Sequence, residues 1–163
     1  MEVGNSPHYF RVVFDCNIFL QAAVRDTGPS FACLAAAEVG SIELFISPQI
    51  VAEIETVFSR PKVKRSFPQL STHYSQAFLQ QVSMFTTKLN DVLTVLEYPR
   101  DPKNEPYINL ATACRADYLV TRDNDLLDLM KNSNQSGQSL LADYPRLTVI
   151  NPPGMLERLR EMY

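Results

Sequence analysis

The sequence predicts an α/β fold, a three-layer α/β/α sandwich in which a mainly parallel central sheet lies between two layers of helices. Short segments rich in Val, Ile, Phe and Tyr alternate along the chain with longer segments whose apolar residues recur at helical spacing. The chain has 163 residues, of which 45% are hydrophobic, and a chain of this size buries roughly 70% of its unfolded surface. We therefore expect residues 10–163 to form a single domain behind a flexible tail, residues 1–9.

The first half of the chain contains two predicted strands and three helical segments. The segment FRVVF, residues 10–14, is typical of a buried strand, and it ends at Asp15. A helical segment begins at Cys16, breaks near Gly28 and resumes from Phe31 to Val39. The second strand is short, and the helix after it begins with a serine N-cap and a proline at its first position. These two elements span residues 44–46 and 48–59.

The second half of the chain continues the alternation of strands and helices. The segment RPKVKRSFP, residues 60–68, is predicted to be a basic linker with two prolines. The polar segment KNSNQSGQSLLADYPR, residues 131–146, is predicted to be an exposed, variable loop. The remaining helices are predicted at 71–89, at 107–115 and from Pro152 onward, and the remaining strands at 91–96, 118–122 and 147–150.

Composition excludes several classes of protein. The formal net charge of −3 argues against a general polyanion binder, so any contact with nucleic acid has to be local or mediated by metal. No apolar run approaches the roughly 18 residues that span a membrane, and the N-terminus lacks the basic start and apolar core of a secretory signal. We therefore expect a cytoplasmic protein without membrane contact. Its three cysteines, Cys16, Cys33 and Cys114, are expected to be reduced core thiols.

Carboxylates follow two of the predicted strands. Asp15 ends the first strand, and Asp123 and Asp125 follow the strand in ADYLVTRDNDLLDL. Since parallel strands all end at one edge of a sheet, Asp15 and Asp123 meet there if their strands are neighbours. Two converging carboxylates with no Lys or Arg between them are costly unless a cation is present. Taken alone, Asp123 is equally well explained as the N-cap of the next helix, with Asp125 complementing its dipole.

Other acidic residues are compatible with the same edge. The helix after Pro48 has a predicted core stripe of Ile50, Ile54, Val57 and Phe58. Glu53 and Glu55 fall near the two opposite borders of that stripe, so geometry alone does not choose between them. Asp101 and Glu105 stand before or at the start of a helix, where capping and the helix dipole favour carboxylates. A solvated or capping role explains any one of these residues, but it explains the whole set less well.

Four motifs together resemble the PIN-domain family, and more narrowly its subgroup of toxin components of toxin-antitoxin systems. In chain order they are FDCNIFL, SPQIVAEIETVFSRPKV, RDPKNEPYINLATACRADYLVTRDNDLLDL and TVINPPGMLERL. They extend from about residue 10 to about residue 160, and their order is more specific than any single motif. The resemblance implies a PIN-like sandwich and a ribonuclease whose acidic residues hold Mg²⁺ or Mn²⁺ at the C-terminal edge of the parallel sheet.

The resemblance carries roles over to individual positions of this chain. The first family aspartate falls on Asp15, the helix glutamate falls on Glu53, and the last two aspartates fall on Asp123 and Asp125. Asn17 is the polar residue that accompanies Asp15, and we expect it to contact RNA. The resemblance thereby selects Glu53 where periodicity left the choice open.

The third acidic position of the family is where this chain departs from the pattern. The subgroup usually reads Asp-Pro-Lys-Asp, whereas this chain reads DPKNE at 101–105, with Asn104 in the place of the second aspartate. An amide oxygen can coordinate a metal but supplies no charge, so the site is either weakened or relies on Glu105 or Asp101. We favour Glu105. The predicted catalytic residues are then Asp15, Glu53, Glu105 and Asp123, and the predicted metal ligands add Asp101, Asn104 and Asp125.

Carboxylates without histidine fit metal-dependent hydrolysis of a phosphodiester, in which hard, oxygen-ligated divalent ions supply a bound hydroxide and stabilise phosphate charge. The chain has 2 histidines, and neither lies near a motif, which argues against a paired-histidine ribonuclease and a histidine-based zinc hydrolase. The expected substrate is single-stranded RNA. A basic run is usually a solvated face, but these residues are the best candidates for phosphate contacts: Arg60, Lys62, Lys64 and Arg65. Arg122 is expected either to contact RNA or to orient a carboxylate.

Two other functions compete with the ribonuclease as explanations of these motifs. A haloacid-dehalogenase-like phosphatase needs a second aspartate two residues after the first, where this chain has Asn17. A PIN-fold RNA-binding or partner-binding module with weakened catalysis is the stronger alternative, and Asn104 motivates it. The resemblance also implies an antitoxin protein as a partner, and it leaves a homodimer open.

Overall fold

The computed structural model describes residues 9–94 and 102–162 of the chain. Within these residues, five parallel strands form one central sheet with helices on both of its faces. The strands are β1 (Phe10–Phe14), β2 (Ile42–Ile46), β3 (Thr86–Lys88), β4 (Tyr118–Val120) and β5 (Thr148–Ile150). The predicted three-layer sandwich is confirmed, and each strand pair of its sheet is parallel.

The helical layers contain nine α-helices in the part of the chain that the structure describes. They are α1 (Cys16–Val24), α2 (Pro29–Glu38), α3 (Pro48–Ser59), α4 (Pro61–Ser66), α5 (Thr72–Phe85), α6 (Glu105–Ala113), α7 (Asn124–Leu127), α8 (Gln135–Asp143) and α9 (Pro152–Met162). The predicted N-cap at Ser47 is confirmed, because its side chain accepts a hydrogen bond from the backbone N–H of Ile50. Gly40 follows α2 with φ at 82°, a left-handed conformation that glycine adopts without steric cost.

The order of strands in the sheet is β3-β2-β1-β4-β5, which places β1 at the centre. The chain first builds outward from β1 through β2 to β3, and it then returns to add β4 and β5 on the other side of β1. In the register of β1 and β4, Phe14 pairs with Val120. The two strands therefore end side by side, and the residues that follow them are neighbours at the C-terminal edge of the sheet.

The core is formed by the strands and by the inward faces of the helices. The side chains of Val12, Val13 and Phe14 in β1 are at most 1% exposed, as expected for the central strand of a covered parallel sheet. Full burial of such a side chain contributes roughly 1.5–3 kcal/mol to stability. The predicted core stripe of α3 is confirmed, since its members are all buried: Ile50, Ile54, Val57 and Phe58.

The third strand lies earlier in the chain than predicted. The predicted strand 91–96 is wrong over its described part, because residues 91–94 have no regular structure. The predicted helix 71–89 is too long, because α5 ends at Phe85 and the strand β3 follows it directly. Thr86 and Thr87 pair with Leu44 and Phe45 of β2. The β-branched threonines suit this pairing, and the tertiary contact overrides the helical pattern that precedes them.

Two predicted irregular segments are helical in the structure. The basic segment 60–68 contains α4, because Pro61 occupies the first helical position, where its missing N–H costs nothing. The polar segment 131–146 contains α8, and Asn134 caps this helix by accepting a hydrogen bond from the N–H of Gly137. Leu140 of α8 is buried in the core and Leu141 packs against the core, so this mainly polar helix has apolar anchors as well as a cap.

Three predictions lie wholly or partly outside the described residues: the tail over residues 1–8, the strand residues 95–96, and the role of Asp101. The cysteines Cys16, Cys33 and Cys114 are all described, and each is a buried free thiol, as predicted. Among the helices that the structure describes, none combines the length and the apolar character of a membrane span.

Candidate active site at the C-terminal edge of the sheet

The ends of β1 and β4 bring a carboxylate and a hydroxyl group together. Thr121 Oγ1 donates a hydrogen bond to Oδ2 of Asp15 over 2.8 Å. The backbone N–H of Asp15 donates to the carbonyl oxygen of Val120 over 3.0 Å, which continues the pairing of the two strands by one residue. Asp15 is 5% exposed and Thr121 is fully buried. The Asp15 carboxylate is therefore held both by the sheet backbone and by a neighbouring side chain.

Thr121 also connects Asp15 to Asp123. The hydroxyl oxygen of Thr121 accepts a hydrogen bond from the backbone N–H of Asp123 over 2.9 Å. Asp123 in turn caps α7, since its Oδ1 accepts from the N–H of Asp125 over 2.7 Å. The negative charge of Asp123 raises the pKa of Asp15, so the two carboxylates share one electrostatic neighbourhood. The structure thus places Asp15 and Asp123 together at the edge of the sheet, and it also gives Asp123 the capping interaction that its sequence position suggested.

Glu53 is the glutamate of α3 that belongs to this group. The phenol of Tyr107, in α6, donates a hydrogen bond to Oε2 of Glu53 over 2.6 Å. The charge of Glu53 also raises the pKa of Asp15. Glu55, on the opposite border of the core stripe, is exposed and lines a separate cavity with Lys64. The contacts of Glu53 therefore distinguish it from Glu55, which helical periodicity alone did not do.

Burial and like charges dominate the electrostatics of the site. Burial raises the pKa of Asp15 above its ordinary value of 3.8, and the negative charges of Asp123 and Glu53 add to this shift. Hydrogen bonds from Thr121 and from the backbone N–H of Asn17 oppose it. Burial, with a smaller contribution from the neighbouring carboxylates, raises the pKa of the Cys16 thiol to about 12, so this thiol keeps its proton near neutral pH. The site is therefore short of positive charge.

The third acidic position lies where the chain enters α6. Asn104 is 4% exposed and ends a turn of 3-10 helix, Pro102–Asn104, while Glu105 is half-buried and begins α6. Asn104 and Glu105 both interact with other groups of the protein, and Asp101 lies outside the described residues. Asp125 is half-exposed in the first turn of α7, where the dipole favours it.

The predicted RNA-contacting cations of the basic segment do not all face the acidic residues. Arg60 is exposed and close enough to Cys16 to lower the pKa of its thiol, which places Arg60 near the acidic group. Lys62 and Arg65 are exposed on α4. Lys64 is half-buried in a different cavity of about 370 Å³, which it lines together with Glu55.

A second cavity does adjoin the acidic residues. It has a volume of about 300 Å³, and its lining includes Asn17, Arg122 and Asp123. Asn17 is exposed. The Nε of Arg122 donates a hydrogen bond to Oε1 of Gln21 over 2.8 Å, so the expectation that Arg122 orients a carboxylate is not met by this contact. Two of the predicted RNA-contacting residues and one predicted catalytic residue thus line the same cavity.

The residues present suit a hard divalent cation in their chemistry. Carboxylate oxygens are the ligands that Mg²⁺ and Mn²⁺ prefer, and a cation would offset the like charges that raise the pKa of Asp15. Within residues 9–94 and 102–162, however, no three carboxylate, imidazole or thiol groups lie close enough together to hold a metal ion as they stand. The chemistry of the donor atoms therefore fits the cation, but the described side chains do not form a complete ligand set in their present positions.

Two residues of this site were absent from the sequence prediction. Thr121 lies between β4 and Asp123 and is buried. Because buried polar groups are nearly always hydrogen-bonded, a threonine at the end of a buried strand indicates a nearby partner for its hydroxyl. Tyr107 is 1% exposed, and a buried tyrosine usually needs a hydrogen-bond partner for its hydroxyl group. That rule indicates a polar neighbour for Tyr107, but only the fold shows that this neighbour is Glu53.

Comparison with known families agrees with this geometry. The sequence profile of the PIN domain family matches residues 11–125, a segment that begins at the second residue of β1, extends past β4 and includes the site residues from Asp15 to Asp123. No match was found among curated proteins.

Proposed function

Because the chain belongs to the PIN domain family, we propose that it is a metal-dependent endoribonuclease that cleaves single-stranded RNA. PIN domains are generally nucleases, commonly ribonucleases, and they typically use divalent metal ions. One observation carries the proposal for this chain. The carboxylate of Asp15 lies at the C-terminal edge of the sheet, where burial raises its pKa and the charges of Asp123 and Glu53 add to the shift.

In this proposal Asp15, Glu53 and Asp123 hold Mg²⁺ or Mn²⁺ in the site. Glu105 completes the catalytic residues, and Asp101, Asn104 and Asp125 are further candidate ligands. When bound, the cation supplies a nucleophilic water of lowered pKa and stabilises negative charge on the phosphate. The coordinating residues need fixed positions for that chemistry.

The surrounding residues supply this positioning. Thr121 donates to Asp15 and thereby turns one oxygen of the carboxylate toward β4. Tyr107 keeps its proton, because burial raises its pKa far above the ordinary value, and it therefore remains a donor to Glu53. These two contacts tie α3 to α6 and the end of β1 to the end of β4. Asn17, Arg60, Lys62, Lys64, Arg65 and Arg122 are the proposed contacts to RNA.

The direct test is cleavage of single-stranded RNA by the purified chain with Mn²⁺ or Mg²⁺ and with a chelator. Asp15→Asn and Asp123→Asn should each abolish cleavage, while Asp143→Asn, an exposed position on α8, should cleave as the wild type does. Millimolar Mn²⁺ should raise the melting temperature of the wild type but not that of Asp15→Asn, because only a folded state with its ligand intact gains from binding. Absence of cleavage together with absence of any Mn²⁺-dependent stabilisation would contradict the proposal.

A second candidate function is supported by Asn104. This residue is an amide where the motif of the subgroup has an aspartate, and it is buried at the entry to α6. A PIN-fold module with weakened catalysis would bind RNA or a protein partner without cleaving. It would bind single-stranded RNA in the assay above and leave it intact with every divalent metal tested, which separates it from the enzyme.

The proposal extends to biological role. The motifs of this chain resemble toxin components of toxin-antitoxin systems, so we propose a cytoplasmic toxin that is neutralised by an antitoxin protein and that can form a homodimer. The buried free thiols Cys16, Cys33 and Cys114 support a reducing compartment. Induced expression should arrest growth, Asp15→Asn should not, and coexpression of a small protein encoded next to the gene should restore growth. Growth unaffected by the wild type would contradict this role while leaving the ribonuclease activity untouched.

A further inference from the structure

We propose that Arg25 and Arg122 form a phosphate-binding subsite that holds one phosphate of the RNA strand beside the acidic residues; this inference rests on the proposed ribonuclease function. The first observation is the shape of the surface. The cavity of about 300 Å³ that contains Asp123 adjoins a smaller one of about 130 Å³. Gln21, Arg25 and Arg122 line both cavities. The two cavities therefore form one groove, which we call the arginine groove.

The second observation is the hydrogen bonding of Gln21, which fixes Arg122 in the groove. Oε1 of Gln21 accepts hydrogen bonds from two donors, the hydroxyl of the buried Ser30 and the Nε of Arg122. Both bonds end on the amide oxygen, so the amide nitrogen of Gln21 keeps its own two N–H donors for another acceptor. The bond to Arg122 uses Nε, and within the described residues neither of its terminal guanidinium nitrogens has a hydrogen-bond partner.

The third observation is the distribution of charge. No carboxylate lines the smaller cavity, and Asp26, next to Arg25 in the sequence, lines neither of the two. Within residues 9–94 and 102–162, neither Arg25 nor Arg122 belongs to an ion pair. Two guanidinium groups without a carboxylate partner attract an anion, and the forked donors of arginine match the oxygens of a phosphate. Lys64 differs in this respect, because Glu55 lines its cavity.

The position of the arginine groove relative to Asp123 indicates which phosphate of the RNA strand it holds. Asp123 lies in the larger cavity, at the acidic edge, whereas Gly28 and Ser30 lie in the smaller one, beyond the arginines. A strand whose reacting phosphate sits at the acidic edge would therefore place a neighbouring phosphate between Arg25 and Arg122. The groove thus makes Arg25 and Arg122 the principal phosphate contacts, ahead of the cations of α4.

Equilibrium binding without divalent metal tests this subsite separately from cleavage. The probe is a single-stranded oligoribonucleotide with a fluorescent label at its 3′ end, and the readout is fluorescence anisotropy as a function of salt, in the presence of chelator. Arg25→Ala and Arg122→Ala should each weaken binding roughly tenfold and lower the salt dependence by about one phosphate contact. Arg25→Lys should retain most of the salt dependence, because it keeps the charge. The matched control is Arg146→Ala, which removes an exposed arginine paired with Asp117 at the opposite edge of the sheet.

The outcomes separate the subsite from the proposed function. If the wild type binds RNA and both arginine variants bind equally well, the subsite is wrong while the ribonuclease proposal stands. If the wild type binds no single-stranded RNA in the presence of chelator, the subsite is overturned, while the ribonuclease proposal is decided by the cleavage assay with Mn²⁺ or Mg²⁺. Oligomers with a 5′-hydroxyl and with a 5′-phosphate identify the source of the phosphate. Equal losses with both oligomers assign an internal phosphate, and a loss confined to the phosphorylated oligomer assigns the terminal one.

Discussion

The hydroxyl group of Thr121 donates a hydrogen bond to Oδ2 of Asp15 over 2.8 Å, although the two residues are 106 positions apart in the sequence. We predict that Thr121→Val, which keeps the shape of the side chain and removes its hydroxyl, lowers RNA cleavage at least tenfold. It should also lower the free energy of unfolding by about 1–3 kcal/mol, because a buried carboxylate loses a donor. Cleavage kinetics and urea unfolding measure the two effects.

Thr112→Val is the matched control for this substitution. Thr112 is also buried, and its hydroxyl donates to the backbone oxygen of Asn109 within α6. The Thr112→Val variant should therefore be less stable than the wild type but should cleave RNA at a similar rate. Equal effects of the two variants on cleavage would mean that Thr121 acts through stability alone.

Asp15 should make the folded state less stable as the pH rises. Below the ordinary value of 3.8 the carboxyl group is protonated in both the folded and the unfolded chain, so it does not affect the free energy of unfolding. Above 3.8 the carboxyl group of the unfolded chain loses its proton first. The free energy of unfolding then falls as the pH rises toward the raised pKa of Asp15, and the loss stays constant above that pKa. Asp15→Asn cannot ionise, so we expect it to be more stable than the wild type above that pKa.

Urea unfolding across this pH range, in the presence of chelator, measures the difference between the wild type and Asp15→Asn. Asp26→Asn removes an exposed carboxylate from the loop between α1 and α2 and controls for the change in net charge. If the difference in free energy of unfolding between the wild type and Asp15→Asn does not change with pH, the surroundings of Asp15 do not raise its pKa.

The two residues at the entry to α6 lead to opposite expectations. If Glu105 supplies the third acidic ligand, Glu105→Gln should reduce cleavage by orders of magnitude and Asn104→Asp should change it little. If the site is simply weakened, Asn104→Asp should tighten Mn²⁺ binding and raise activity, because one more negative charge attracts a hard cation. We favour Glu105, and titration of Mn²⁺ into both variants while RNA cleavage is followed decides the question. An inactive wild type that gains activity from Asn104→Asp would reverse our choice.

Gly137 allows α8 to lie directly against the chain near Leu129. A Cβ atom at position 137 would lie 1.9 Å from the carbonyl oxygen of Leu129, which is backbone and cannot rotate away. We expect Gly137→Ala to lower the free energy of unfolding by about 3 kcal/mol. Gly40→Ala is the contrast, because its Cβ would meet nothing within 4 Å and only its left-handed conformation is penalised. Urea unfolding should therefore rank the loss at Gly137 above that at Gly40.

The sequence predicted those parts of the fold that depend on local pattern. The segment FRVVF, the N-cap at Ser47 and the core stripe of α3 each carry a signal within a few residues, and the structure confirms them. The strand at Thr86–Lys88 carries no such signal, because its two threonines become a strand only by pairing with β2. Position 137 is similar, since the need for glycine arises from a neighbouring segment rather than from α8 itself.

The candidate site was predictable to the same extent. A parallel sheet predicted that Asp15 and Asp123 lie at the same edge and meet there if their strands are neighbours, and the structure shows that β1 and β4 are neighbours. The pairings of Tyr107 with Glu53 and of Thr121 with Asp15 join distant segments, so a pattern within one segment could not reveal them. The arginine groove was missed for a related reason. Arg25 looks like an isolated cation in the sequence, and only the packing of α1 beside the end of β4 sets it next to Arg122.

The place of β4 in the sheet has a consequence for synthesis of the chain. β1 emerges from the ribosome first, yet its neighbour on one side, β4, follows after β2, β3 and six of the helices described. Contacts between distant segments form late, and parallel strand pairing is slow for that reason. A nascent chain therefore carries Asp15 without Thr121 or Asp123, so the proposed RNA-cleaving site is incomplete while most of the chain is being made. Chains that stop before Tyr118 should accordingly fail to cleave RNA, and pulsed hydrogen exchange should find β1 fully protected only when β4 is protected as well.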